Sequence, residues 1–593
     1  MDKICNISYS DMLSEIKNYS NKNAKSIKIS ILRNVTIEPV FDSYLAYFLS
    51  QIGYTANVQY GEFNNIMEEA LGFNQNLLNE QTEYVLVALH FGTLSSKINE
   101  DWLTISDDEK EYEKDRVLGY INKLIEGIKS RTSATIFLLG FESSIWSISD
   151  TYNNPRYTIE ELNNKIKEMA KQAGNVYFID TNFSLIKLGY ERFYDSRYWY
   201  IGHAPYSKEA CKDIAFECFK YIRLQKGKSK KCIILDCDNV LWGGICGEEA
   251  LGGIQLGKVY PGNMYCDFQL EVKKLYEAGV IIALCSKNNE EDVWNVFRNH
   301  PDMVLSEKNI SAYRINWDNK AKNIISLSEE LNIGLDSIVF VDDNEHEVEL
   351  VNKKLPDVET ILFDKQCVYK NREILALSGL FKCFNVTAED KIRGKMYRED
   401  KERSKMLNEF DDLTSYYKEL EMDVKVFKVD EFYVPRVSQL TQRTNQFNLT
   451  TKRYTEADIK SLMDKDDTEI ICIKLSDKFG EFGVIGCGIL KYCDNDAIID
   501  TFLLSCRALG KHIQDVFLME VMNLAKQKGM KRIIAKYLPS KKNSQVREFL
   551  DTVNFTNSEE ESDGRVRYEM DLERMKYEIL DIFHDIENDI FLV

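Results

Sequence analysis

Short apolar runs of strand length recur along the first 225 residues: SIKISIL at 26–32, YVLVALHF at 84–91, ATIFLLG at 134–140 and NVYFID at 175–180. Longer stretches between them, such as 159–172, place apolar residues at helical spacing. Strands alternating with helices predict a parallel sheet covered on both faces. The basic segment KGKSKK at 226–231 reads as a linker. The same alternation then resumes, with strands expected at 232–235, 280–285, 302–305, 337–341 and 360–363. Residues 386–421 are rich in charge and lack proline, which predicts one or two exposed helices bridging domains. Beyond them the pattern is mixed, with strands expected at 423–428, 469–475, 484–492, 497–504 and 531–537 and a helix at 511–528. The apolar positions of the tail after 573 follow helical spacing and predict a docking helix. The chain therefore reads as an α/β multidomain protein with units at 1–225, 226–375 and 422–572, a helical linker at 376–421 and a helical tail at 573–593.

At 593 residues and 44% hydrophobic content, the chain can build several cores. A formal net charge of −19 disfavours nucleic acid or an anionic membrane as the main partner. No basic stretch followed by an apolar run opens the sequence, and no apolar run approaches the length of a membrane helix. The 14 cysteines are scattered, many in apolar runs, and the six histidines show no zinc-like spacing. These features predict a cytoplasmic protein with reduced thiols.

The strongest chemical signal is Ile233-Ile-Leu-Asp236-Cys-Asp238. A buried strand there delivers two carboxylates, two residues apart, at its C-terminal end, where open α/β sheets bind ligands. Asp236 can attack phosphorus and Asp238 can serve as general acid and then base. Ser286 and Lys287 follow the strand at 280–285, and Ser286 can hold a phosphate oxygen. Lys320 opens a helix and can pair with the phosphoryl charge, while Asp342 and Asp343 follow the strand at 337–341. Mg²⁺ is the expected cofactor, with Asp236, Asp238, Asp342 and Asp343 as candidate ligands. The spacing from Asp236 to Ser286 (286 − 236 = 50) and from there to Lys320 (320 − 286 = 34) leaves little room for a folded cap. An uncapped site suits a substrate presented on a macromolecule.

The run Asp236-Cys-Asp-Asn-Val-Leu-Trp-Gly-Gly-Ile-Cys-Gly-Glu-Glu249 closely resembles the FkbH-like family of haloacid-dehalogenase (HAD) proteins, subfamily IIIC. Asn316-Trp-Asp-Asn-Lys320, Val341-Asp-Asp-Asn344, the run 441–453 (TQRTNQFNLTTKR) and Ser505-Cys-Arg-Ala-Leu-Gly510 extend that resemblance. It implies an uncapped Rossmann-like HAD domain that takes a glyceryl group from 1,3-bisphosphoglycerate, removes phosphate and loads glycerate on an acyl carrier protein in polyketide or related biosynthesis. It also implies a thiol that carries glyceryl in transit. Cys237 is the candidate, although neighbouring strand residues point to opposite faces and flanking carboxylates raise a thiol pKa; Cys246 is the weaker alternative. A plain phosphatase on another phosphoester and a carrier-tethering scaffold are the competing readings.

The N-terminal unit resembles an SGNH-hydrolase-like domain. Arg33 stands near the expected nucleophilic serine, and His203 follows Asp195 at a longer spacing than that class uses, which implies a docking or scaffolding role rather than hydrolysis. The C-terminal unit resembles the α+β GNAT acyltransferases. Arg507 and Gly510 partly match their pyrophosphate loop and are candidate pantetheine-binding residues, with His512 in place of the usual small residue.

Overall fold

The computed structural model describes residues 7–20, 24–143, 154–249, 251–407, 409–540, 543–553, 555–574 and 578–590. The chain divides between Arg223 and Leu224 into two compact units. In the N-terminal unit, β1 (Lys25–Arg33), β2 (Tyr54–Tyr60), β3 (Tyr84–Ala88), β4 (Thr135–Leu139) and β5 (Val176–Ile179) form a parallel sheet in the order β2-β1-β3-β4-β5. The fully buried strands β3 and β4 are the continuous apolar runs of the sequence. β2 escapes that pattern because it is an edge strand, YTANVQY, half-buried along its length. Helices such as Asp107–Lys129, opened by a Ser106/Glu109 capping box, and Pro155–Ala173 flank the sheet in sequence.

The second unit opens with another parallel sheet. Its strands are β6 (Cys232–Leu235), β7 (Ile281–Ser286), β8 (Ala312–Ile315), β9 (Ile338–Asp342) and β10 (Glu359–Leu362), in the order β10-β9-β6-β7-β8. The central strands β6, β7 and β9 are buried throughout, and alternate residues feed two cores: Ile233 and Leu235 one, Cys232 and Ile234 the other. The strand expected at 302–305 is absent. The backbone N–H groups of Val304 and Leu305 donate instead to Gln269 Oε1, both at 3.0 Å, so a side chain replaces a ladder and the edge strand forms at Ala312–Ile315.

The remaining strands are β11 (Met422–Lys428), β12 (Phe447–Asn448), β13 (Thr468–Asp477), β14 (Gly480–Cys493), β15 (Asp496–Leu504), β16 (Arg532–Tyr537), β17 (Thr556–Glu560), β18 (Val566–Asp571) and β19 (Phe583–Asn588). They join in the order β17-β18-β16-β15-β14-β13-β11-β19, with β12 on β15. The tail is therefore a strand and not a helix: β19 pairs in parallel with β11, whose open edge captures it. Its helically spaced apolar residues still reach the core, Ile582 and Ile590 being buried there. The bridging segment forms the helices Ala388–Leu407 and Leu413–Glu419, but it is not simply exposed. Asp390, Arg393 and Arg403 turn inward, Arg403 pairing with the buried Asp477 at 2.6 Å. Among the described residues no helix is long and apolar enough to cross a membrane.

Candidate active site

Parallel pairing brings the C-terminal ends of β6, β7 and β9 together, and with them the carboxylates, the hydroxyl and the lysine that the sequence points to. They line a cleft of about 620 Å³ whose walls include Asp236, Asp238, Ser286, Lys287, Lys320 and Asp343. Lys320, the first residue of the helix Lys320–Glu330, is nearly buried and lies 2.8 Å from Asp236 Oδ2 and 2.6 Å from Asp342 Oδ2. Asn319 caps that helix by accepting from the Ala321 N–H at 3.0 Å, which fixes where the lysine starts. Burial alone would lower the Lys320 pKa, but the two carboxylates outweigh it and hold the ammonium charged. Burial, then the Asp236 charge beside it, raises the Asp342 pKa.

Carboxylate oxygens of Asp236, Asp342 and Asp343 lie within 4.8 Å of one another. Three hard oxygen donors at that spacing, outnumbering the two lysines paired with them, Lys320 and Lys365, fit a divalent cation such as Mg²⁺. The Asp238 carboxylate stands outside this cluster and is held by other groups. Its Oδ1 accepts from Trp242 Nε1 at 2.8 Å and from the Cys246 N–H at 3.1 Å, and its Oδ2 accepts from Asn288 Nδ2 at 2.8 Å. Burial raises its pKa, which favours a carboxyl that can keep a proton. The turn that brings these donors back begins at Asn239, whose φ of 58° is left-handed and whose Oδ1 accepts from the Gly244 N–H. Gly244 has φ 97°, and a Cβ there would meet Glu249 Oε1 at 2.8 Å.

Ser286 ends β7 at the cleft wall, and Lys287 is engaged by Glu347 at 2.6 Å. Cys237 is not among the residues that line the cleft, although Ser286, which does line it, hydrogen-bonds its thiol. It is fully buried in the core on one face of the sheet, and burial, with Asp236 beside it, raises its thiol pKa well above the ordinary value. β6 ends at Leu235, so Cys237 lies in the turn beyond the strand, between two carboxylates that line the cleft. Cys246 is half-buried, with Asn288 Nδ2 at 3.2 Å from its sulfur; burial, then Asp238, pushes its thiol up to about 12. Reading the sequence missed Trp242 and Asn288 as the groups that hold Asp238. The polar run after Ser286 was the available signal for Asn288.

In the N-terminal unit, Arg33 ends β1 paired with Glu38 and stacked over Tyr60 at 4.7 Å. His203 packs edge-on against Trp199, while Asp195 pairs with Arg197 at 2.8 Å. Neither contact builds a Ser-His-Asp relay around Arg33. In the C-terminal sheet, Arg507 is buried against Met396 and the Gly510 carbonyl accepts from Tyr417 Oη at 2.6 Å. β15 and β16 pair only over Asp496–Ile499 and then diverge. The segment around β12 fills the gap: Phe447 and Asn448 pair with Leu504 and Leu503, and the Leu449 N–H donates to the Phe502 carbonyl. The Leu449 carbonyl in turn accepts from the Leu538 N–H, so the chain occupies both open edges itself.

Residues 231–393 match the family model of NLI interacting factor-like phosphatases, so this part of the chain is similar to phosphatase domains of that type. No curated protein matches the chain. Among solved structures, the N-terminal part of BF1531 from Bacteroides fragilis, which contains a phosphatase domain complexed with Mg, is 24% identical. The match covers 64% of this chain and 99% of that one with a TM-score of 0.54, which shows a shared fold. A domain from Methanocaldococcus jannaschii is 15% identical over 25% of this chain and 99% of its own, with a TM-score of 0.22. The ribosomal-protein-S18-alanine N-acetyltransferase from Escherichia coli is 10% identical over 26% of this chain and 98% of its own, with a TM-score of 0.21.

Proposed function

We propose that the chain is a Mg²⁺-dependent phosphatase that also loads a carrier. It takes the glyceryl group of 1,3-bisphosphoglycerate, removes phosphate, and delivers glycerate to the phosphopantetheine thiol of an acyl carrier protein. The observation that carries the phosphoryl part is the cluster of Asp236, Asp342 and Asp343 around Lys320 at the strand ends. The carrier part rests on the resemblance of the 236–249 run and on an open cleft rimmed by exposed Trp317.

Asp236 would attack the phosphorus of the monoester, and the bond from phosphorus to the leaving oxygen would break as the aspartyl-phosphate forms. Asp238, whose pKa burial raises, would give that oxygen its proton. As carboxylate it would then take a proton from water, which attacks the aspartyl-phosphate, frees inorganic phosphate and restores Asp236. Lys320 and Ser286 would hold the phosphoryl oxygens. Mg²⁺, held by Asp236, Asp342 and Asp343, would supply neutralisation of the charge on the transferring group. At the acyl phosphate end, a thiol would attack the carbonyl carbon; the carbon–sulfur bond forms, the carbon–oxygen bond to phosphate breaks, and the thiol proton leaves with the phosphate. Cys246 is the chain's thiol beside Asp238 and the candidate for transit.

Intact-protein mass spectrometry of enzyme, Mg²⁺, 1,3-bisphosphoglycerate and phosphopantetheinylated carrier tests the reading. The expected result is a carrier mass gain matching glyceryl that disappears in Asp236→Asn. Phosphate release with an unmodified carrier would leave a plain phosphatase. Carrier binding without any turnover would leave a tethering scaffold.

A further inference from the structure

At the opposite end of the phosphatase sheet, where β6, β7 and β9 begin, a second cavity of about 300 Å³ lies against the helix Ala388–Leu407 and the C-terminal sheet domain. Five cationic side chains line it: Lys231 just before β6, Arg393 on that helix, Arg436 and Arg443 on the helix Val434–Arg443, and Arg507 after β15. Arg393, Arg436 and Arg507 are each no more than 9% exposed. Such a concentration is not a background property of a chain whose net charge is −19.

Two carboxylates pair directly with three of the five cations. Asp390 is buried and pairs with Arg393 and, at 2.8 Å, with Arg443; Glu389 lies 3.8 Å from Arg436. The other contacts are neutral. Lys231 donates to the Arg443 carbonyl at 2.7 Å, Arg436 to the Val484 carbonyl at 2.7 Å, and Arg507 contacts the Met396 sulfur. The direct contacts of Lys231 and Arg507 named above are with neutral groups, and the charges of Asp336 and Asp400 also act on them. Buried like charges are unfavourable unless counter-charge arrives. Burial, with the neighbouring arginines, pushes Lys231 down to about 8, and burial lowers Arg436, Arg443 and Arg507 too.

We propose that this cavity binds a small phosphorylated anion carrying at least two negative charges. Guanidinium forks match phosphate oxygens two at a time, and Ser505 adds a neutral donor. The volume is at the low end for small-molecule sites and admits a metabolite rather than a polymer. The site is separate from the catalytic one. The strand Cys232–Leu235 stands between Lys231 and Asp236, roughly 17 Å at about 3.3 Å per residue. Because the walls come from the phosphatase sheet, the bridging helix and the C-terminal domain, a bound anion would tie the three together.

Titration calorimetry and thermal unfolding of the full chain with inorganic pyrophosphate test this, in EDTA at ionic strength held constant with chloride. The expected result is saturable binding of one equivalent and a rise in Tm, both retained in Lys320→Met. Arg436→Met and Arg507→Met should each weaken binding about tenfold or more. Lys231→Met, on the opposite wall, should do the same and covers the case of an arginine variant that misfolds. Absence of saturable binding at millimolar pyrophosphate would overturn the proposal. So would binding that is lost in Lys320→Met yet kept in Arg436→Met, because the anion would then sit at the catalytic end.

Discussion

Replacing Lys320 with methionine isolates what one buried cation does for the catalytic end of the sheet. The ammonium is 2.8 Å from Asp236 and 2.6 Å from Asp342, and the three side chains are at most 10% exposed. Methionine fills the same volume without the charge, so two buried carboxylates are left facing each other. Removing one partner of a buried pair costs about 3–5 kcal/mol. For a unit of this size each kcal/mol moves Tm by about 2 °C, so the metal-free variant should melt on the order of 5–10 °C lower. Mg²⁺ should restore more stability to the variant than it adds to the wild type, because the cation relieves a repulsion that the lysine otherwise answers. Turnover of a phosphomonoester should fall by about 10²–10³, the cost of one lost charge-stabilising donor. Calorimetric melts with EDTA and with Mg²⁺, alongside a phosphate-release assay, measure all three effects. An unchanged metal-free Tm would refute the reasoning, since it would mean that the two carboxylates do not need the lysine.

Chelation should abolish phosphate release, and added Mg²⁺ should restore it; release that persists in EDTA after dialysis would contradict the carboxylate cluster as a cation site. Cys246→Ala should reduce glyceryl loading of the carrier about tenfold or more while phosphate release from a simple monoester stays within about twofold. Cys237→Ala should instead appear as a loss of about 1–2 kcal/mol of stability, read from denaturant melts. Glu142, buried in the N-terminal unit with Tyr206 Oη donating to it at 2.9 Å, is pushed up to about 7 by burial. A carboxyl raised in the fold holds its proton there while the unfolded chain has lost it. Stability therefore falls as pH rises from the unfolded value through about 7, and the full penalty remains above that. Glu142→Gln should match the wild type near pH 4 and exceed it by about 3 kcal/mol near pH 8, measured by melts at both pH values.

The catalytic end of the phosphatase sheet was readable in the chain because continuous apolar runs locate buried parallel strands, and the polar residue after each run must stand at a strand end. That rule found Asp236, Ser286, Asp342 and Asp343. It could not show that Cys237 turns into the core or that Trp242 and Asn288 grip Asp238, because a left-handed turn at Asn239 sets both. It misplaced an edge strand at 302–305 because a side chain, Gln269, satisfies that backbone. The cation-lined cavity was invisible for another reason. Lys231, Arg393, Arg436, Arg443 and Arg507 come from separate elements, and no local pattern signals that they converge. The gap between β15 and β16 was likewise unreadable, since only pairing across the sheet shows that 447–449 fills it.

The pairing of β19 with β11 also sets a clock during synthesis. β11 ends at Lys428 and β19 begins at Phe583, so 583 − 428 − 1 = 154 residues lie between them. At about 5–20 residues per second, a ribosome needs roughly 8–30 s to deliver the second strand after the first. Through that interval β11 has a partner available on one side, β13, while its other edge offers unpaired backbone groups to any extended chain nearby. Nascent copies on neighbouring ribosomes carry the same edge. Yield in a heterologous host should therefore depend on translation speed and on holding chaperones more than the stability of the finished protein would suggest.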